Sequence, residues 1–158
     1  MSPKTTAQES FVVFPLGGRR LALPTSDVVE LSRTGSVHLF PHTTPALLGV
    51  LLRRGEILPV WDLAQTLLGS EEPTLKYCLV TRHNFAGAER TAIPVSGECQ
   101  MVHSEMLPPP EDSATYVRGV LLLEGQPIEV LDLAEVGTPR ESTAAQEKEL
   151  AGEEAERV

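Results

Sequence analysis

An all-β fold built as two similar lobes is predicted by three observations. The second half of the 158-residue chain repeats the first at a constant offset of 70 positions. Gly49-Val50-Leu51-Leu52-Arg53-Arg54-Gly55 and Val60-Trp61-Asp62-Leu63-Ala64 return as Gly119-Val120-Leu121-Leu122-Leu123-Glu124-Gly125 and Val130-Leu131-Asp132-Leu133-Ala134. In the same register Ala22-Leu23-Pro24-Thr25-Ser26 returns as Ala92-Ile93-Pro94-Val95-Ser96. A fixed period marks one supersecondary unit made twice, because each copy carries an apolar face that it cannot bury alone. Second, the apolar segments are short and evenly punctuated by glycine and proline, the pattern of a barrel or sandwich. Third, helical signals are confined to two brief stretches, one per repeat.

The elements follow in order. Residues 1 to 9 are polar and read as a flexible start. Phe11-Val12-Val13-Phe14 and Arg20-Leu21-Ala22-Leu23 flank Gly17-Gly18, a hairpin, since glycine accepts the positive φ of tight hairpin turns. Val28 to Leu31 is a further strand. After the turn-rich Pro41-His42-Thr43-Thr44-Pro45, the strands Ala46 to Arg53 and Glu56 to Trp61 bracket Gly55 as a second hairpin. Asp62 to Gly69 reads as a two-turn helix with Asp62 as N-cap, Gln65 placed to complete a capping box, and Gly69 as the stop. Ser70 to Thr74 is a polar connector. The second copy then runs through Tyr77 to Val80, Thr91 to Val95, Cys99 to His103, the rigid Pro108-Pro109-Pro110, Tyr116 to Leu123 and Ile128 to Leu131, and its helix starts at Asp132. From 137 to 158 apolar residues thin out, predicting an acidic tail that is disordered or a frayed helix. The folded region is therefore set at 10–136, with lobe one at about 20–70, lobe two at about 77–136, and strands open to exchange between lobes.

A formal net charge of −9 argues against nucleic-acid binding, which needs a basic stripe to neutralise phosphates, and disfavours anionic membrane. The opening MSPKTTAQES lacks the apolar core of a secretory signal, and no apolar run approaches the ~18 residues of a spanning helix, so a cytoplasmic location without membrane insertion is expected. Cys78 and Cys99 have no CxxC spacing and read as free thiols of a reducing compartment.

Paired Asp62 and Asp132, one per lobe, invite comparison with an aspartic hydrolase, where two carboxylates share a proton. Such sites need Thr or Ser and then Gly after the aspartate, and Leu63-Ala64 and Leu133-Ala134 follow instead. Helix capping explains both residues with one ordinary mechanism. His38, His42, His83 and His103 are scattered, and Pro41 breaks the only close pair, so no metal site is expected. Ser26 and Ser96 lie in repeated turns without a nucleophile elbow, and Gly55 and Gly125 form no phosphate-binding pattern. No catalytic residue and no cofactor are expected. In Leu47-Leu48-Gly49-Val50-Leu51-Leu52 both strand faces are apolar, which predicts burial between the lobes or, failing that, a binding surface.

Three segments carry a family resemblance: Phe11 to Phe14, Leu23-Pro24 to Val28-Val29-Glu30-Leu31, and Pro45 to Val50 with Arg54-Gly55-Glu56-Ile57-Leu58-Pro59-Val60-Trp61-Asp62-Leu63. Over about residues 10 to 136 the chain resembles the CheW-like adaptor domain of bacterial chemosensory systems. The resemblance implies two five-stranded SH3-like β-barrels, related by the internal repeat and separated by a hydrophobic groove, with short capping helices. It also implies a protein without catalytic activity that bridges the cytoplasmic hairpin tip of a methyl-accepting chemoreceptor and the regulatory domain of a CheA-type histidine kinase. Val28 and Glu30 match receptor-contact positions, and Arg54 matches the arginine of the family's Asn-Leu-Arg-Gly motif. Leu52 and Arg53 stand where the family has Asn-Leu, altering the kinase-facing position, so an accessory adaptor that binds receptor but not kinase is the alternative.

Overall fold

The structure, a computed structural model, describes residues 8–39, 47–69, 75–84 and 88–136. Eleven strands and two short helices are formed among these residues, in the order β1 (Glu9–Leu16), β2 (Arg19–Pro24), β3 (Val28–Arg33), β4 (Val37–Leu39), β5 (Leu47–Arg53), β6 (Glu56–Trp61), α1 (Leu63–Leu68), β7 (Tyr77–Thr81), β8 (Thr91–Val95), β9 (Gln100–Ser104), β10 (Val117–Leu123), β11 (Gln126–Leu131) and α2 (Leu133–Val136). The expected all-β architecture with short helices is present. The polar start over 1–7, the turn at 41–45, the connector at 70–74 and the tail at 137–158 lie outside the described residues.

Two curled sheets divide the strands. One has the order β10-β11-β2-β1-β9, the other β3-β7-β8-β6-β5-β4. Each sheet takes strands from both halves of the sequence: the β1–β2 hairpin joins the late strands, and β7–β8 joins the early ones. The splice is parallel in both cases, Ala22 against Val130 and Ala92 against Val60. These two pairs are the same pair under the 70-residue repeat, so the repeat is a two-fold exchange of hairpins.

The exchange explains why the apolar runs do not alternate with polar residues. On β1, Phe11 and Val13 enter the interior of one barrel with Leu121, Ile128 and Val130, while Val12, Phe14 and Leu16 face a central core. On β7, Cys78 and Val80 enter the other barrel with Leu51 and Leu58, and Leu79 faces the same centre. Strands walled in on both sides read as continuous hydrophobic runs. The central core also holds Trp61, Leu63, Ile93, Val95, Leu131 and Leu133, each buried. Fully burying one such side chain contributes about 1.5–3 kcal/mol.

Three hairpin turns each place two consecutive residues in the left-handed region. Gly17-Gly18 joins β1 to β2 at φ 57° and 85°; Arg54-Gly55 and Glu124-Gly125 take the same shape at φ 52° and 78°, and 54° and 80°. The repeated Gly49 and Gly119 answer a different need, close backbone approach. A Cβ on Gly49 would collide with the carbonyl oxygen of His38 and lie 2.8 Å from Leu39 Cα, and one on Gly119 would lie 2.6 Å from the Leu107 carbonyl oxygen.

The six-stranded sheet gains its extra member from β4, three residues paired to β5, which the sequence pattern does not reveal because two of the three face solvent. Its repeat counterpart shrinks to one bridge, Leu107 to Val120, with N–H···O distances of 2.8 and 2.9 Å. Pro108-Pro109-Pro110 follows immediately and cannot donate to a ladder. Gly49→Ala should therefore displace β4 from β5 and cost about 1–3 kcal/mol, as forced overpacking does. Chemical denaturation gives the cost, and accelerated amide exchange confined to 37–39 locates it.

Candidate interaction site

The β5–β6 hairpin carries most of the candidate residues. Strand alternation sends Arg53 and Leu52 to opposite faces, and the left-handed turn throws Arg54 outward. Across the barrel lies Glu30 on β3, just past a register shift between Val28 and Glu30. In sheet order β3 is one edge and β5 lies next to the other, yet Arg53 Nε donates to Glu30 Oε2 at 2.7 Å and Arg53 Nη2 to Oε1 at 3.3 Å. Only a sheet curled back on itself allows this contact. The Arg53–Glu30 pair is thus a latch across the barrel mouth, with both side chains less than a quarter exposed. Arg54 reaches the same carboxylate only at 3.5 Å, and its side chain is 79% exposed.

The Arg53 hydrogen bond holds the Glu30 carboxyl below the usual carboxylate range, and the same bond raises the Arg53 guanidinium. A carboxyl depressed in the folded state contributes stability above its unfolded pKa and loses that contribution as pH falls through the folded value. The difference in thermal midpoint between the wild type and Glu30→Gln should thus be present at neutral pH and vanish in acid. Melts of both proteins across that range check it.

Leu52 faces solvent at 59% exposure beside its cross-strand partner Ile57 at 64%. Of the burial between lobes expected for both faces of this strand, only Leu47 shows it, partly buried against the central core; Leu51 is buried inside its own barrel, and Leu52 faces solvent on the outer face of the sheet curled around that interior. Val28 opens β3, partly buried against the central core rather than joined to the arginines. The structure thus brings Glu30, Arg53 and Arg54 together, sets Leu52 on the opposite face of the same hairpin, and leaves Val28 at the lobe junction.

Sequence reasoning did not pick out Ile57, nor a cavity of about 300 Å³ beside β3, where Leu31, Arg33, Tyr77, Glu98 and Cys99 converge from β3, β7 and the β8–β9 turn. The Arg33 guanidinium carbon and Lys76 Nζ stand 5.9 and 5.6 Å from the Tyr77 ring centroid. No alternation signals Ile57, since β6 has two exposed residues followed by four buried ones. The cavity had no signal either, because its walls are far apart in sequence. Both cysteines are free, and burial pushes the Cys99 thiol up to about 11, so it is not a ready nucleophile.

The paired aspartates act as helix caps. Asp62 is buried and its Oδ1 accepts the Gln65 N–H at 3.2 Å, while Gly69 closes α1 in the left-handed region at φ 75°. Asp132 Oδ1 accepts the Ala134 N–H at 3.1 Å. Asp132 lines a cleft with Asp27, Arg82 and Arg118, and Asp62 does not reach it. Capping accounts for both aspartates, and nothing among the described residues supports the hydrolase reading. Asp62→Ala should cost about 1 kcal/mol, the ordinary value of a lost N-cap, a loss that urea denaturation resolves.

Among the described residues no helix is long and apolar enough to cross a membrane. A double barrel with a latched charged hairpin, an exposed apolar pair and helix-capping aspartates is the build of a non-catalytic adaptor, a protein that works through its surfaces. Residues 10–139 match the model of the CheW-like domain, and the chain belongs to that family. It is 30% identical over 132 residues to protein FrzA of Myxococcus xanthus, covering 79% of this chain and 81% of that protein. It is 24% identical over 147 residues to the chemotaxis protein CheW of Rhizobium meliloti (strain 1021), covering 89% and 95%. The crystal structure of the scaffolding protein TtCheW from Thermoanaerobacter tengcongensis superposes with a TM-score of 0.67 at 22% identity, covering 80% of this chain and 85% of that one, and shares the fold. The chain is a chemosensory coupling adaptor without catalytic activity, and its partners are proteins of a chemosensory assembly.

Proposed function

We propose that this adaptor works in the cytoplasm, joining the hairpin tip of a methyl-accepting chemoreceptor to the regulatory domain of a CheA-type histidine kinase through two surfaces of one rigid body. The observation that carries the reading is the composition of the β5–β6 hairpin. A guanidinium four-fifths exposed lies at its tip, and a solvent-facing Leu52–Ile57 pair lies on its outer face; arginine is enriched at binding hot spots, and exposed apolar pairs mark interaction surfaces. We assign that hairpin to the kinase. The receptor is assigned to the β3 side, from Val28 and Glu30 to the cavity at Leu31, Arg33 and Tyr77, where a helical tip can lay apolar side chains into a groove. Holding two partners in fixed geometry lets the state of one bias the other.

A second reading, an accessory adaptor that binds receptor alone, is favoured by Leu52 and Arg53, which depart from the family's Asn-Leu. Titrating the protein separately with a receptor tip fragment and with the kinase regulatory domain, followed by backbone amide shifts, decides between them. Shifts around 28–33, 77 and 97–99 with the first and around 50–58 with the second support the coupling role. No shift with the kinase domain leaves the accessory role, and no shift with either sinks both.

A further inference from the structure

Arg19, Arg53, Arg54 and Arg90 pair with glutamates at 2.7 to 3.5 Å. Arg33 is not among them. Its guanidinium carbon lies 5.9 Å from the centroid of the Tyr77 ring, and Lys76 Nζ lies 5.6 Å from the same centroid. One half-buried ring thus gathers two exposed cations beside the cavity at β3. A ring face attracts a cation without cancelling its charge, which stays open to a partner. In a chain with a formal net charge of −9, these cations are a local reversal of sign.

The second lobe folds without this cluster. Arg33 pairs in register with Tyr77 across β3 and β7. The corresponding pair across β9 and β1 is His103, 70 positions beyond Arg33, with Ser10. There the Ser10 hydroxyl and His103 Nδ1 close on each other at 2.9 Å, and Glu9 stands before Ser10 where Lys76 stands before Tyr77. What Arg33, Lys76 and Tyr77 add to the first lobe is therefore surface chemistry, not closure of the sheet.

The cavity itself, about 300 Å³, is walled by Leu31, 38% exposed, and by Cys78 and Cys99. That volume is at the bottom of the range for small-molecule pockets and suits a side chain or two of a partner. The β8–β9 turn contributes Glu98 to the lining. Charge is divided across the opening, with cations along β3 and β7 and a carboxylate on the turn. An acidic group on a partner is drawn to the first and repelled by the second, which fixes the register of a docked segment.

We infer that Arg33 and Lys76, gathered on Tyr77, are specificity residues of this groove: the segment it receives is a helix of the receptor tip that presents a carboxylate to the two cations and an adjacent apolar side chain to Leu31. The inference rests on the β3 side being the receptor-facing surface, and the two fail separately.

The test is calorimetric titration with the cognate receptor's tip fragment at low and at physiological salt, with amide shifts of the wild type to show where the fragment sits. Replacing Arg33 and Lys76 together by glutamine should weaken binding roughly 10-fold at low salt, within the range of hot-spot losses. It should also flatten the fall of affinity with salt, because the screened attraction is gone. Glu98→Gln should tighten binding about 2- to 3-fold by removing the repelling carboxylate. Leu31→Gln should weaken binding equally at both salt concentrations. Residues that only shape the cavity would leave the salt dependence as in the wild type. A double glutamine variant that binds like the wild type, or wild-type binding that does not fall with salt, overturns the charge specificity, and a Leu31→Gln that binds like the wild type overturns the apolar half. With shifts at 28–33, 77 and 97–99, either result refutes the inference and leaves the receptor assignment standing. No binding, or shifts that map elsewhere, refutes the assignment and the inference with it. Concentration-dependent shifts at these residues in the free protein put a second copy of the chain in the groove and overturn both.

Discussion

Replacing Trp61 by alanine is expected to lower stability by about 3–5 kcal/mol, the usual toll for removing a large aromatic from a packed core. The indole is fully buried at the centre shared by both barrels, its Nε1–H donates to Thr66 Oγ1 at 2.9 Å, and its ring stacks on His83 at a centroid distance of 5.2 Å. The cavity cannot close locally, because its walls are β1 and β2 of one sheet and β7 and β8 of the other. Both barrels should therefore lose protection together. Urea denaturation followed by far-ultraviolet dichroism gives the magnitude. Amide exchange in β8 and in β11 gives the cooperativity, and destabilisation of only one barrel would contradict the shared core.

Arg54→Glu is expected to weaken binding of the kinase regulatory domain 10- to 100-fold, about 1.4–2.8 kcal/mol, by reversing the charge at the hairpin tip. Its melting temperature should stay close to that of the wild type for a reason visible in the second barrel. Glu124 occupies the equivalent turn position at φ 54°, against 52° for Arg54, so a glutamate at this left-handed site is already part of the molecule. The slight contact to Glu30 is the only ion pair forfeited among the described residues. Calorimetric titration with melting curves on the same samples checks both expectations. Unchanged affinity in a folded variant removes Arg54 from the interface.

The repeat, the hairpin turns, the α1 cap at Asp62 and its stop at Gly69 were legible in the sequence, because each depends on contacts a few residues apart. The short β4 was not, since three residues carry no period. For the site, Arg54 and Glu30 were legible only through the family resemblance. That Arg53 rather than Arg54 claims Glu30 could not be read at all, since 23 positions separate the partners and the strands that carry them are not neighbours in the sheet.

By itself, then, the sequence determined the chemistry that acts locally: which segments pair as hairpins, which residues cap the helices, where left-handed turns demand glycine, and that the molecule is one unit made twice. Only the tertiary structure decided which hairpin completes which barrel, which face of Leu47 to Leu52 meets water, and which arginine holds Glu30. Local backbone preferences are set by near neighbours along the chain. Sheet exchange, curvature and the sharing of one carboxylate between two guanidiniums depend on distances between residues far apart in sequence, and those exist only once the two sheets have closed around a common core.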